Sequence, residues 1–340
     1  MFTIDLFCRV VDNYGDIGVC WRLARQLVTE QGCKLRLIVD NFASFRFVAP
    51  EIDPALKRQN LLGVEVIAWS ISGALQPAEV VIEAFACDPP AAYVLEMTEL
   101  AEKPVWINLE YFSAETWVDG VHGLPSPHPR LPLTKYFFCP GFTEQSGGLI
   151  RESALAPSSL RGEDHSGRTK LLAFAYPHAP VRALATALDA QVTIASQLDE
   201  TDPTWLVAAR VPQTQFDALL AQFDVLIVRG EDSFLRAQYA AKPFLWHIYP
   251  TPDNAHFVKL DAWLDRYCEG LATDGAHAFR RAQHAFNCGD ETADAYTDFA
   301  AHLSTLKAHA SHWRDHLFAQ TDLATRLLNF VNSLKLKKIS

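Results

Sequence analysis

Short apolar runs alternate with helical patterns through the first half of the chain. The runs Ile4–Phe7, Leu35–Asp40, Val64–Ala68, Val80–Ala84, Val105–Asn108 and Tyr136–Cys139 predict strands, and Ile17–Glu30 and Ala91–Glu102 predict helices. Such alternation argues for a parallel sheet covered by helices. The rhythm breaks at residues 143–169, "TEQSGGLIRESALAPSSLRGEDHSGRT", a polar tract rich in Ser and Gly that reads as a linker. It resumes with strands at Lys170–Phe174, Val192–Ala195, Trp205–Arg210, Val225–Arg229 and Phe244–Tyr249, and helices around Val181–Leu188, Gln213–Phe223 and Ser233–Ala241. From Ala255 onward the pattern is almost wholly helical. The economical architecture is two α/β domains with a cleft between them.

A length of 340 residues suits two domains, and 49% hydrophobic with 21% charged residues suits a globular protein with a substantial core. The net charge of -10 argues against a dedicated DNA- or RNA-binding surface. No apolar run approaches a membrane span, and the start of the chain lacks a signal-peptide pattern, so a cytosolic protein is expected. Seven cysteines, an odd number with no CxxC pair, predict free and mostly buried thiols. Neither Cys nor His has zinc-ligand spacing. His302, His309, His312 and His316 predict a solvated helical face, and His247, in "LWHIYP", lies near a strand end where it would line the cleft.

Open α/β sheets bind ligands beyond the carboxyl ends of their strands. Two stretches stand there. In "RVVDNYGDIGVCWRLARQL", Asp12 and Asp16 occupy a strand-to-helix turn with Gly15 and Gly18. The pattern is not GxGxxG, and carboxylates repel phosphate. The aspartates are either ordinary caps or a pair that acts on a substrate, one as base and one as positioning group. In "VRGEDSF", Gly230 makes the turn, Glu231 and Asp232 stand at its tip and Ser233 begins a helix. Free N–H groups at that helix start suit a diphosphate, and Glu231 suits the paired hydroxyls of a sugar. The alternative is that both acids complement the helix dipole. A third stretch, "PVWINLEYFSAETWVDGVHGLPSPHP", carries Glu110, Glu115 and Asp119 among aromatics; it suits a carbohydrate or cationic acceptor, or is simply a packed loop.

The stretches "VVDNYGDIGVCWRLARQL", "WINLEYFSAETWVDGVHGLPSP" and "VRGEDSFLRAQYAAKPFLWHIYP" together resemble the bacterial elongation factor P arginine rhamnosyltransferase family, over nearly the whole chain. The resemblance implies a GT-B architecture, two Rossmann-like domains facing across a cleft. It places an acceptor-binding domain at 1–150, rejoined by a last helix at about 318–340, and a nucleotide-sugar domain at 165–317. It implies inverting transfer of rhamnose from dTDP-β-L-rhamnose to one arginine of elongation factor P, which then relieves ribosomes stalled at proline runs. Neither metal nor other cofactor is implied, nor any nucleic-acid or membrane partner. Asp12 and Asp16 fall on the family's essential aspartates and Glu231 on its essential glutamate, with Arg229, Asp232 and Ser233 around the nucleotide. Phe174 and Tyr176 fall on an aromatic pair at the donor site, Gln213 and Phe216 near the thymine pocket, and Tyr249 near the diphosphate; Asn13 and Gly15 join the donor contacts. The chain departs from the pattern at Arg210, Val211 and Thr251. A guanidinium, with a pKa of about 12.5–13.8, is a poor nucleophile that a carboxylate pair can orient and deprotonate. Asp16 is expected as base and Asp12 as its partner, with the reverse open. A GT-B enzyme with a small-molecule acceptor and a non-catalytic sugar-nucleotide binder are the alternatives.

Overall fold

The computed structural model describes residues 1–11, 14–153, 155, 167–290 and 293–339. The chain forms two compact units, Met1–Ala154 with Gln320–Ser340, and Leu155–Ala319.

The first unit is built on β1 (Thr3–Cys8), which pairs in parallel with β2 (Lys34–Val39) on one side and β5 (Val80–Ala84) on the other. Parallel β4 (Val64–Ala68) lies beyond β2, and parallel β6 (Val105–Leu109) and β8 (Thr134–Phe138) lie beyond β5. Short antiparallel strands, β3 (Arg58–Leu61) and β7 (Pro125–Pro127), close the two edges of this eight-stranded sheet. Both faces are covered, so the central strands are apolar almost throughout. Leu6 and Cys8 face Ile17, Trp21 and Leu27 of α1 (Gly15–Thr29) and Leu327 and Val331 of α12 (Leu323–Ile339). Phe7, Val81 and Trp106 face Tyr93 and Met97 of α3 (Ala91–Glu99).

Residues 143–153 are not linker. Leu149 and Ile150 are buried, and Arg326 of α12 donates to the carbonyls of Thr143, Glu144 and Ser146 at 2.8, 3.0 and 2.9 Å. The glycines serve close packing: a Cβ on Gly147 would lie 2.6 Å from the Phe138 ring. Within the rest of the expected linker, residues 154 and 156–166 lie outside the described residues. Two helices were not signalled by pattern, α2 (Phe42–Val48) and α4 (Trp117–Val121), the latter inside the expected aromatic loop.

The second unit carries a five-stranded parallel sheet in the order β11-β10-β9-β12-β13. The strands are β9 (Lys170–Ala173), β10 (Gln191–Ile194), β11 (Leu206–Val207), β12 (Val225–Arg229) and β13 (Phe244–His247). The strand expected at Trp205–Arg210 shrinks to those two residues because they form an exposed edge, with Leu206 50% and Val207 77% exposed. The helix expected over Gln213–Phe223 is a 3₁₀ turn, Gln213–Gln215, followed by α6 (Phe216–Leu220). Helices α5 (Val181–Ala187), α7 (Asp232–Tyr239), α8 (Ala255–Tyr267), α9 (Thr273–Asn287), α10 (Ala293–Ala301) and α11 (Leu303–Ala319) complete the unit. His309 is not on a solvated face: it is buried and its Nε2–H donates to the Tyr267 carbonyl at 2.5 Å. His312 and His316 are exposed. Six cysteines are buried and Cys288 is exposed, all as free thiols. No helix among the described residues is long and apolar enough to cross a membrane.

Candidate active site

In the first unit the chain leaves β1 and turns into α1 just above the sheet's carboxyl end. The helix is capped by Tyr14, which makes no side-chain cap bond, and Asp16 sits one residue inside the first turn. The cap reading of Asp16 therefore falls. Asp16 is only 2% exposed; its Oδ2 accepts the Val11 N–H at 2.7 Å and its Oδ1 accepts the Tyr111 hydroxyl at 2.9 Å. Asp12 and Asn13 lie outside the described residues. Gly15 opens the helix and is half-buried.

Tyr111 is held in place by stacking. Its ring lies 4.0 Å from Phe85, at 9°. Phe85 and the following Ala86 both take left-handed backbone, φ +58° and +51°, and the Ala86 N–H is fixed on Asn108 Oδ1 at 3.1 Å. Two successive non-glycine residues at positive φ cost on the order of 1–3 kcal/mol each, and such strain concentrates at functional loops. The carboxylates of the third stretch have local partners. Glu110 accepts from Asn108, Glu115 from the Ser113 hydroxyl at 2.8 Å, and Asp119 from the Thr143 hydroxyl, which is the packed-loop arrangement.

In the second unit the remaining residues expected at the site converge beyond the carboxyl ends of β9, β12 and β13. The Arg229 guanidinium lies 4.8 Å from the Phe174 ring centroid and 5.1 Å from that of Tyr176, and donates to the Ala175 carbonyl at 3.1 Å. Partly desolvated cation–π contacts of this kind contribute about 0.5–2 kcal/mol. Phe216 meets Phe174 edge-on at 5.6 Å, and Tyr249, 56% exposed, meets Tyr176 edge-on at 5.7 Å. Gly230 turns the chain with φ +63°. Gln213 Nε2 donates to Asp232 Oδ2 at 2.9 Å. The Ser233 hydroxyl donates to the Arg229 carbonyl and accepts the Arg229 N–H, closing the turn that leads into α7.

His247 lies behind this wall rather than on it. It is 3% exposed, and its Nδ1 accepts the Tyr176 N–H at 3.2 Å. Burial, with the nearby His178 and Arg229, lowers its pKa to about 3, so the ring is neutral and can accept that bond. Lys259 of α8 carried no sequence signal, because it lies 28 residues beyond Glu231; its Nζ donates to Glu231 Oε1 at 2.5 Å.

Two Rossmann-like units of this kind define the GT-B class of glycosyltransferases. Solved structures of CalG4, the calicheamicin glycosyltransferase (TM-score 0.56, 12% identity, 98% of this chain and 99% of that one), and of VinC in complex with dTDP (0.55, 11%, 97% and 98%) share this fold. The family model "Elongation-Factor P (EF-P) rhamnosyltransferase EarP" matches residues 4–194 and 163–332, and the chain belongs to that family. A protein-arginine rhamnosyltransferase of Pseudomonas putida is 41% identical over 379 residues, covering 98% of this chain and 99% of its own length. One of Neisseria meningitidis is 33% identical over 379 residues, with 97% of each chain covered. A structure solved to explain EarP-mediated arginine glycosylation of translation elongation factor EF-P has a TM-score of 0.63 and 30% identity, over 98% of this chain and 99% of that one.

Proposed function

We propose that the chain transfers the L-rhamnosyl group of dTDP-β-L-rhamnose to one arginine side chain of elongation factor P, with inversion at the anomeric carbon. The observation that carries this reading is the family match, which runs through both units. In the step itself a C–N bond forms, the C–O bond to the diphosphate breaks, dTDP leaves, and one guanidinium proton passes to a carboxylate.

The second unit is assigned the donor. Phe174, Phe216 and Gln213 take the thymine end, Glu231 takes the ribose hydroxyls, and Arg229 and Tyr176 frame the nucleotide. The diphosphate goes to the N–H groups of Asp232 and Ser233 at the start of α7 and to Tyr249. No metal is assigned a role. The first unit is assigned the acceptor, with Asp16 as base and Asp12 as orienting partner; Asn13 and Gly15 are assigned donor contacts from the same loop. Both Asp16 oxygens already accept hydrogen bonds. The Tyr111 hydroxyl, which donates to Oδ1, can also accept, so it is able to pass a guanidinium proton inward. The acceptor works on ribosomes, which places the reaction in the cytoplasm.

The test is mass spectrometry of elongation factor P after incubation with this protein and dTDP-rhamnose. The expected result is one deoxyhexose adduct, on an arginine. An unmodified factor, with folded protein that still binds the donor, would redirect the reading to another acceptor.

A further inference from the structure

The turn between β12 and α7 is held from behind by one aromatic block. The Trp246 indole donates to the Gly230 carbonyl at 2.9 Å, and Phe234 of α7 stacks on Trp246 at 3.8 Å. Trp263 of α8 packs edge-on against Phe234 at 4.9 Å and against Trp246 at 6.0 Å, and its own N–H is fixed on Gln238 Oε1 at 3.1 Å. The same side chains therefore set the backbone of the turn and the position of α8.

Lys259 stands one helical turn before Trp263 on that helix. Its ammonium reaches the Glu231 carboxylate at 2.5 Å, with side chains only 23% and 19% exposed. Fully exposed ion pairs contribute little, but this pair is mostly covered and one partner is mounted on a rigid element. Asp232 is bonded by Gln213, and Ser233 is bonded to the backbone of Arg229. Lys259 gives Glu231 the equivalent tether.

We infer that Lys259 is a positioning residue for the donor: its ammonium fixes the Glu231 carboxylate in the orientation that meets the sugar hydroxyls of a nucleoside-diphosphate sugar. The inference rests on the donor reading of this turn. A glutamate has several rotamers to lose on binding, and fixing it beforehand removes that loss from the binding step. A carboxylate beside a diphosphate also repels it, and a neighbouring ammonium offsets that repulsion.

The experiment is a double-mutant cycle on the full chain, with dTDP-rhamnose affinity read by calorimetry and rates by single turnover. Lys259→Met keeps the stem and removes the charge. It is expected to weaken the donor about tenfold while changing the rate at saturating donor much less. Lys259→Arg is expected to restore most of the affinity. In a Glu231→Gln background, Lys259→Met should add almost nothing, because the group it positions is gone. Equal losses in both backgrounds would mean that Lys259 meets the ligand by itself, and would overturn the positioning role. Unchanged affinity in Lys259→Met, whatever its melting temperature, would overturn it as well. Glu231→Gln alone with unchanged donor affinity would instead sink the donor reading, so the two failures separate.

Discussion

Asp16 shows how much one carboxylate's surroundings decide. Its burial, the Val11 N–H and the Tyr111 hydroxyl help to hold it in place, and the Tyr111 hydroxyl can both donate and accept. If Asp16 is the base, Asp16→Asn, which keeps the size of the side chain, should lower single-turnover rhamnosylation about 10²–10⁴-fold while donor affinity stays close to normal. Tyr111→Phe keeps the stack on Phe85 and removes only the hydroxyl. If the hydroxyl relays the proton, its loss should reach the same scale, and the double variant should be no slower than Asp16→Asn alone. Near-normal turnover in Asp16→Asn would end its catalytic assignment. His247 offers a second test, by pH. In the unfolded chain a histidine titrates near 6.5, and in the folded protein His247 titrates at about 3. Above pH 6.5 it is neutral in both states and contributes no pH dependence. Below 6.5 the unfolded chain takes up a proton that the folded one refuses, so stability falls by about 1.4 kcal/mol per pH unit until roughly pH 3. His247→Asn keeps an acceptor for the Tyr176 N–H and should remove that slope in urea unfolding between pH 6.5 and 4. His122, His256 and His309 are also depressed by burial, so part of the acid sensitivity will remain in the variant.

At the scale of elements, the sequence was legible where burial on both faces imposes long apolar runs. The interior strands β1, β2, β5, β6, β9 and β12 were readable for that reason, as was β13, which ends its sheet but is buried throughout. The sequence was illegible where an element is short, at an exposed edge or built by distant partners. The edge strands β3 and β7 and the two residues of β11 carry little apolar signal, and α4 is a five-residue helix inside an aromatic loop. The glycines of "SGGLI" misled in a different way, since Gly in a polar tract suggests freedom when here it permits contact. Gly148 (φ +72°) separates the two uses: a Cβ there would meet Arg326 Cδ and the Thr321 carbonyl, both at 2.9 Å, whereas at Gly32 (φ +66°) nothing lies within 4 Å. Gly32→Ala should cost about 1 kcal/mol, from backbone strain alone. Gly148→Ala should cost that plus roughly 1–3 kcal/mol of overpacking, because backbone and the Arg326 clamp must give. Chemical denaturation of the two variants checks the difference. Equal losses would show that α12 accommodates the methyl group freely.

At the scale of the molecule, the division into two α/β units was legible in the sequence, while the partners around each candidate turn were not. The motifs at the β1–α1 and β12–α7 turns pointed to ligand sites at carboxyl strand ends, and those turns lie in different units. The partners that give each turn its chemistry, Tyr111 for Asp16 and Lys259 for Glu231, lie 95 and 28 residues away along the chain, beyond any local pattern. If the donor residues are as assigned, dTDP-rhamnose bound to the folded protein stabilises the unit that carries them. A ligand at about one hundred times its Kd adds roughly 2.7 kcal/mol to whatever it binds, provided that it does not bind the unfolded state. Hydrogen exchange, read with and without donor, should therefore show the largest gain in protection at Phe174–Tyr176, at Arg229–Ser233 and along α8. The strands of the first unit, from β1 to β8, should gain far less, since their opening does not release the nucleotide. The acceptor loop, Val11 to Asp16 with Tyr111, should respond chiefly when elongation factor P is added. Donor-induced protection concentrated in that loop, with the β12–α7 turn unchanged, would reverse the assignment of the two units. The same measurement on Glu231→Gln controls for non-specific ligand effects: its gain at the turn should shrink in proportion to the lost affinity, while exchange in the first unit stays as it was.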